Sequence, residues 1–138
     1  MTIAVEDLTA YLKADAGITA IAAGRIYPQN LPQKAAGASL LANLPAVVYM
    51  QVSGARPSSM EGVTGLNDGR YQFACMAGDY LTAKKLSQAV RVSLNKLKGT
   101  IGSTVILDTS LDAERDTYDA IELTFRVDLD FKIWHREP

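Results

Sequence analysis

Residues 121–133 read IELTFRVDLDFKI, in which Ile121, Leu123, Phe125, Val127, Leu129, Phe131 and Ile133 alternate with Glu122, Thr124, Arg126, Asp128, Asp130 and Lys132. Strict period-two alternation marks a strand with one apolar and one polar face. Strands usually stop after about 5–6 residues. At about 3.4 Å per residue this one reaches on the order of 40 Å, against a diameter of roughly 37 Å for a compact domain of this length treated as a sphere. Such a strand either bends sharply or projects beyond its core, where Phe131, Ile133 and Trp134 would need a covering partner.

Working outward, the 138 residues suit one domain spanning 1–138. A chain of this length buries roughly two thirds of its unfolded surface, so neither disulfides nor metals are needed for stability. Fourteen basic and 15 acidic residues leave a net charge of −1, without the basic excess that binding to a phosphate backbone requires. Cys75 is alone and falls in RYQFACM on the face of Tyr71 and Phe73, which predicts a buried, inert thiol. The opening MTIAVEDLTAYLKAD carries acids and no apolar core, which argues against a signal peptide, and no stretch approaches the roughly 20 apolar residues of a membrane span.

Val5, Leu8 and Leu12 fall at helical spacing, and Gly17 is expected to interrupt before a short ITAIAA segment. Residues 29–45 are rich in Ala, Gly, Gln and Pro and read as an exposed loop. AVVYMQVS, residues 46–53, is a strand; GARPSSMEGVTGLNDG is a second long loop closed by a turn at Asn67, Asp68 and Gly69. Alternation returns over Arg70 to Met76. Asp79 then caps a helix from about Tyr80 to Leu97, with Leu86, Val90, Leu94 and Leu97 as its buried stripe and Gly99 as its stop. TVILDTSL is a third strand, the acidic DAERDTYD a turn, and residues 121–133 the fourth strand. The order α-β-β-α-β-β implies an α+β fold, with a mainly antiparallel four-stranded sheet and two principal helices packed on one face.

Chemistry is sparse. The single histidine, His135, lies near the C-terminus and reads as a surface residue, without the neighbours that nucleophilic catalysis needs. Asp112, Glu114 and Asp116 resemble the start of a calcium loop, but Thr117 stands where the turn glycine belongs and Leu123 where a bidentate glutamate closes the site. Asp128 and Asp130 share a strand face at i and i+2, flanked by Arg126 and Lys132. Charges of both signs in a row hold the acids ionised, which favours a solvated face or a subunit contact over acid/base work. Lys84, Gln88, Arg91, Asn95 and Lys98 form a polar stripe on the helix, either its wet side or a dock for an acidic neighbour. No cofactor is expected, since neither a phosphate-cradling glycine loop nor cysteine/histidine metal spacing occurs.

Three segments in order, LTAYLKADAGITAIAAGRIYP, LPAVVYMQVSG and GRYQFACMAGDYLTAKKLSQAVRVSL, resemble the small tail-completion proteins of long-tailed bacteriophages, a family related to tail terminators. The resemblance runs from about Leu8 to Leu94. It is most specific at Gly24 to Pro28, at Leu44-Pro45 and at Asp79-Tyr80 followed by Ala83. The loop from Gln29 to Asn43 is longer than the family pattern. What the resemblance implies is a non-enzymatic virion protein, a homo-oligomer, commonly a hexameric ring, at the head-proximal end of the tail tube. It would end tube polymerisation and form the surface that joins the head. Its partners would be the tail tube protein and the head-tail connector proteins, with DNA passing through without specific binding, and with no membrane. The protein would belong to the virion tail at the head-tail junction, and to the host cytoplasm during assembly.

On that reading Glu122, Arg126, Asp128, Asp130 and Lys132 set the register of a subunit interface anchored by Trp134. Gln33, Lys34, Arg56, Met60 and Glu61, in the two long loops, meet the tube or the connector. Two alternatives are another head-tail connector or tail tube protein, and a small ligand-binding or enzymatic α+β domain with a pocket under the loop of residues 29–45.

Overall fold

The computed structural model describes residues 4–28, 45–55, 58–59, 62–63, 66–102, 104–120 and 124–136. Helix α1 (Ala4–Ala14) sends Leu8 and Leu12 into the core, and α2 (Ala16–Ala22) follows directly. Asp15, not Gly17, makes the break. Its extended backbone starts α2 and its carboxylate accepts the Ile18 amide at 3.0 Å, satisfying a donor that the helix itself leaves open. Gly17 lies inside α2, which tolerates it at a cost of about 1 kcal/mol relative to alanine.

Strand β1 (Ile26–Pro28) runs parallel to β2 (Ala46–Ala55), which pairs antiparallel with β5 (Leu66–Ala77). Between β2 and β5, β3 (Ser58–Ser59) and β4 (Gly62–Val63) form a small separate hairpin. Helix α3 (Tyr80–Asn95) leads to β6 (Gly99–Ile101), and β7 (Thr104–Asp119) and β8 (Thr124–Arg136) complete the fold. Asp79 caps α3 by accepting the Thr82 amide at 3.1 Å, and Gly99, at φ +93°, turns the chain into β6.

The sheet order is β1-β2-β5-β8-β7-β6. The expected four-stranded antiparallel sheet with two helices is therefore replaced, among the described residues, by a six-stranded mixed sheet, curled into a half-barrel, with three helices. Two of the extra strands, β1 and β6, have three residues each, too short for any periodicity to show. The acidic segment DAERDTYD is not a turn but the second half of β7, in register with β8 through Asp119↔Thr124. It lacks apolar alternation because both its faces are largely exposed, so no side chain there is selected for burial. Asn67, Asp68 and Gly69 likewise belong to β5, opposite His135, Trp134 and Ile133.

Strand β8 is central. It pairs with β5 from Leu66↔Arg136 to Ala77↔Phe125 and with β7 from Val105↔Arg136 to Asp119↔Thr124. Its length is matched by its own neighbours, because the sheet is as long as the strand and the domain is not a sphere. Phe131 and Ile133 are fully buried within this chain. They join Val127 and Leu129 beneath Leu8 and Leu12 of α1 and Leu86, Val90 and Leu94 of α3. Phe73 stacks on Tyr49 at 5.3 Å and meets Phe131 edge-on at 6.0 Å. Each such side chain adds about 1.5–3 kcal/mol by leaving water.

Candidate functional site: the charged face of the sheet

Alternation along β8 puts Arg126, Asp128, Asp130, Lys132 and Trp134 on the face away from the apolar core. Register adds neighbours from both sides: Arg70 stands opposite Lys132, Asp68 opposite Trp134, and Arg115 opposite Asp128. The ladder slips between Leu111 and Ala113, and the intervening Asp112 reaches Arg70. A bulge of this kind re-aims a side chain without ending the strand.

The charges pair off closely. One oxygen of Asp130 accepts from Arg70 at 3.3 Å and from Arg115 at 3.1 Å, while the other terminal nitrogen of Arg70 holds Asp112 at 2.5 Å. Arg126 Nε donates to Asp128 at 2.6 Å, and Lys132 lies 3.7 Å from Asp68. Asp128 and Asp130 are only 5% exposed although no helix covers them among the described residues; the longer flanking arginines screen them. The four carboxylates face four cations, so the patch is neutral and its geometry fixed.

The sequence had singled out the β8 members of this network and missed Asp68, Arg70, Asp112 and Arg115. Arg70 could have been found, because Tyr71 and Phe73 already assigned the opposite face of β5. Arg115 is hidden in a charge-rich segment whose pattern reads as a turn, whereas it lies in β7. Glu122, Gln33, Lys34, Arg56, Met60 and Glu61 lie outside the described residues, as does most of the loop over residues 29–45 with the pocket expected beneath it.

A second cluster ties α3 to β7 on the helix side. The Tyr80 hydroxyl donates to Asp116 at 2.6 Å, and Lys84 reaches Asp116 at 3.0 Å and Glu114 at 3.8 Å. The hydrogen bond from Tyr80, with help from Lys84, holds the Asp116 carboxyl below the usual aspartate range. Donating that hydrogen bond to a carboxylate favours the protonated phenol and raises Tyr80 in turn. Of the two readings of the helix stripe, wet side or dock for an acidic neighbour, Lys84 follows the second, with the acids supplied by the chain's own β7. Glu114 and Asp116 turn to Lys84 whereas Asp112 turns to Arg70, so the three acids of the calcium-like run do not converge. Among the described residues no group of acids, histidines or cysteines could hold a metal ion.

His135 is not the surface residue expected. It is buried and its Nε2 lies 3.3 Å from the Tyr71 hydroxyl. It follows the core face of β8 two residues beyond Ile133, so the strand carries it inward. Cys75 is fully buried, as expected, and burial pushes its thiol well above the ordinary range. Cys75 pairs with Val127, eight residues from His135 along β8, a separation of about 27 Å that rules out a thiol–imidazole pair.

These observations describe a curled, mixed six-stranded sheet that carries helices on one face and a neutral plate of paired charges on the other. One chain of a solved structure described as the virion of a native gene transfer agent (GTA) particle is similar in fold, with a TM-score of 0.68, 19% sequence identity and 97% of each chain covered. Over residues 6–136 the chain matches the model of the family described as tail completion protein gp17, and it belongs to that family. It is a structural component of a phage virion tail. No curated protein matches it.

Proposed function

We propose that this tail completion protein closes the head-proximal end of the tail tube as an oligomeric ring, commonly hexameric, ending tube polymerisation and presenting the surface that joins the head. The charged plate on β5, β8 and β7 carries this reading. A mixed-sign face with fixed geometry suits a repeated contact, because it sets register and rejects misaligned neighbours more than it adds raw affinity. Arg126 keeps about two fifths of its side chain accessible beside the buried Asp128, and Trp134 is partly exposed at the other end of the strand. These two are the anchors of the contact, with Asp128, Asp130 and Lys132 fixing its register. The tail tube protein and the head-tail connector are the partners above and below, and DNA passes a neutral wall.

The test is the mass of the purified protein across a concentration series, alone and with tail tubes, by light scattering on size exclusion with negative-stain images. Closed species of one size, bound at one tube end, are expected. Open-ended tubes would instead mark a tube subunit. Arg126→Ala and Trp134→Ala should weaken assembly while each variant stays folded; normal assembly by both would move the seam elsewhere.

A further inference from the structure

The two edges of the sheet are unfinished in complementary ways. Strand β6 pairs only with Thr104–Ile106 of β7. From Leu107 to Asp119 the edge of β7 away from β8 meets no strand among the described residues. That is a run of 13 residues, roughly 44 Å of strand edge. At the opposite edge β1 covers Val47–Tyr49 of β2, and among the described residues no strand covers Met50–Ala55, with Met50 and Val52 about half exposed. An open edge of such length is a template for another strand unless something guards it.

The charge pattern says which strand. Along its open run β7 carries Asp108, Asp112, Glu114, Asp116 and Asp119 against the single Arg115. Two β7 strands from two copies would therefore set acid against acid, and like charges directly opposite are destabilising. The open run of β2, MQVSGA, has no charge at all. Polarity agrees. β2, β5, β8 and β7 alternate in direction, so a second copy continuing the same sheet brings its β2 antiparallel to β7, the more stable pairing.

We propose that β7 of one copy pairs through its open edge with Met50–Ala55 of the next, making one sheet continuous across the seam. The inference rests on the ring reading above. It adds a backbone ladder to the side-chain contact proposed there, and because the two edges differ the joint is heterologous, the kind that closes into a ring when its rotation allows. The acids of β7 exclude the self-paired dimer that would otherwise compete with the ring. The ladder of β2 slips between Gln51 and Ser53, leaving Val52 without a partner on β5. That residue can change without disturbing the fold.

The experiment compares wild type, Val52→Asp and Val52→Lys by mass across a concentration series in the presence of tail tubes. It is combined with hydrogen exchange of β7 in the assembled and unassembled protein. Val52→Asp adds an acid opposite acids and should weaken each seam about fivefold. Val52→Lys should assemble at least as well as wild type, and the outward amides of a stretch of about six residues within 107–119, matching the length of Met50–Ala55, should become protected on assembly. Equal unfolding midpoints for the three proteins show that the fold is unchanged. Rings in which β7 exchanges as in the free protein, or Val52→Asp assembling like wild type, would overturn the edge pairing and leave the ring reading standing. Absence of any closed species for wild type would remove both.

Discussion

Removing Phe131 separates two accounts of the long strand. If β8 outran its core, Phe131 would be covered by a neighbouring subunit, and its loss would weaken assembly while the isolated chain kept its stability. The structure buries Phe131 completely within one chain, edge-on to Phe73 at 6.0 Å. Phe131→Ala then forfeits the transfer free energy of the ring, leaves a cavity in a central strand and loses an aromatic pair. The first two together cost about 3–5 kcal/mol, a range to which an edge-on pair adds about 0.5–1.5 kcal/mol. Against a total stability on the order of 5–15 kcal/mol, about a quarter or more of the folding free energy disappears. Ile133→Ala, also fully buried, should cost about 2–5 kcal/mol. Lys132→Ala, between them on the other face and 46% exposed, should change stability by less than about 0.5 kcal/mol. Urea unfolding followed by circular dichroism at two protein concentrations tenfold apart reads all three. The reasoning fails if Phe131→Ala loses less than about 1 kcal/mol, or if its midpoint moves with concentration, since either result would place the cover for Phe131 outside the chain.

Other predictions concern single features. A Cβ on Gly69 would come within 2.6 Å of the Tyr71 ring, so Gly69→Ala should destabilise by about 1–3 kcal/mol in thermal or urea unfolding; a turn glycine at this position would have shown no such clash. Hydrogen bonding from Thr82 lowers Asp79, and Tyr80 with Lys84 lowers Asp116. Folded-state values below the unfolded ones mean that the native state binds fewer protons, so this stabilisation is complete above the ordinary aspartate pKa of about 3.9 and is lost as pH falls through the lower folded values. Unfolding midpoints measured down to about pH 2 should therefore fall less steeply in the double variant Asp79→Asn/Asp116→Asn than in wild type. Cys75, fully buried with its thiol pushed up, should react with a disulfide reagent only when the protein opens, and destabilising variants such as Phe131→Ala should speed the labelling.

Where local pattern and burial coincide, the sequence was legible. The apolar face of β8, the Tyr71–Phe73–Cys75 face of β5, the α3 stripe with its Asp79 cap and the inert thiol could all be read by eye. Each follows from periodicities of 2.0 or 3.6 residues that a single core imposes on neighbouring side chains. The segments 67–69 and 112–119 misled for one reason: turn formers and charges can occupy a strand whose ladder is supplied by neighbours.

By itself, then, the sequence determined which side chains go inward along the long elements, because that depends on hydrophobic alternation within each. It also carried the family resemblance, in segments whose order survives without knowledge of contacts. Tertiary structure alone decided that β8 lies in the middle of the sheet, that a three-residue strand lies at each edge, that Arg70 and Arg115 join Asp130, and that His135 is buried. Register between strands far apart in the chain fixes those outcomes, and no window of sequence contains both partners.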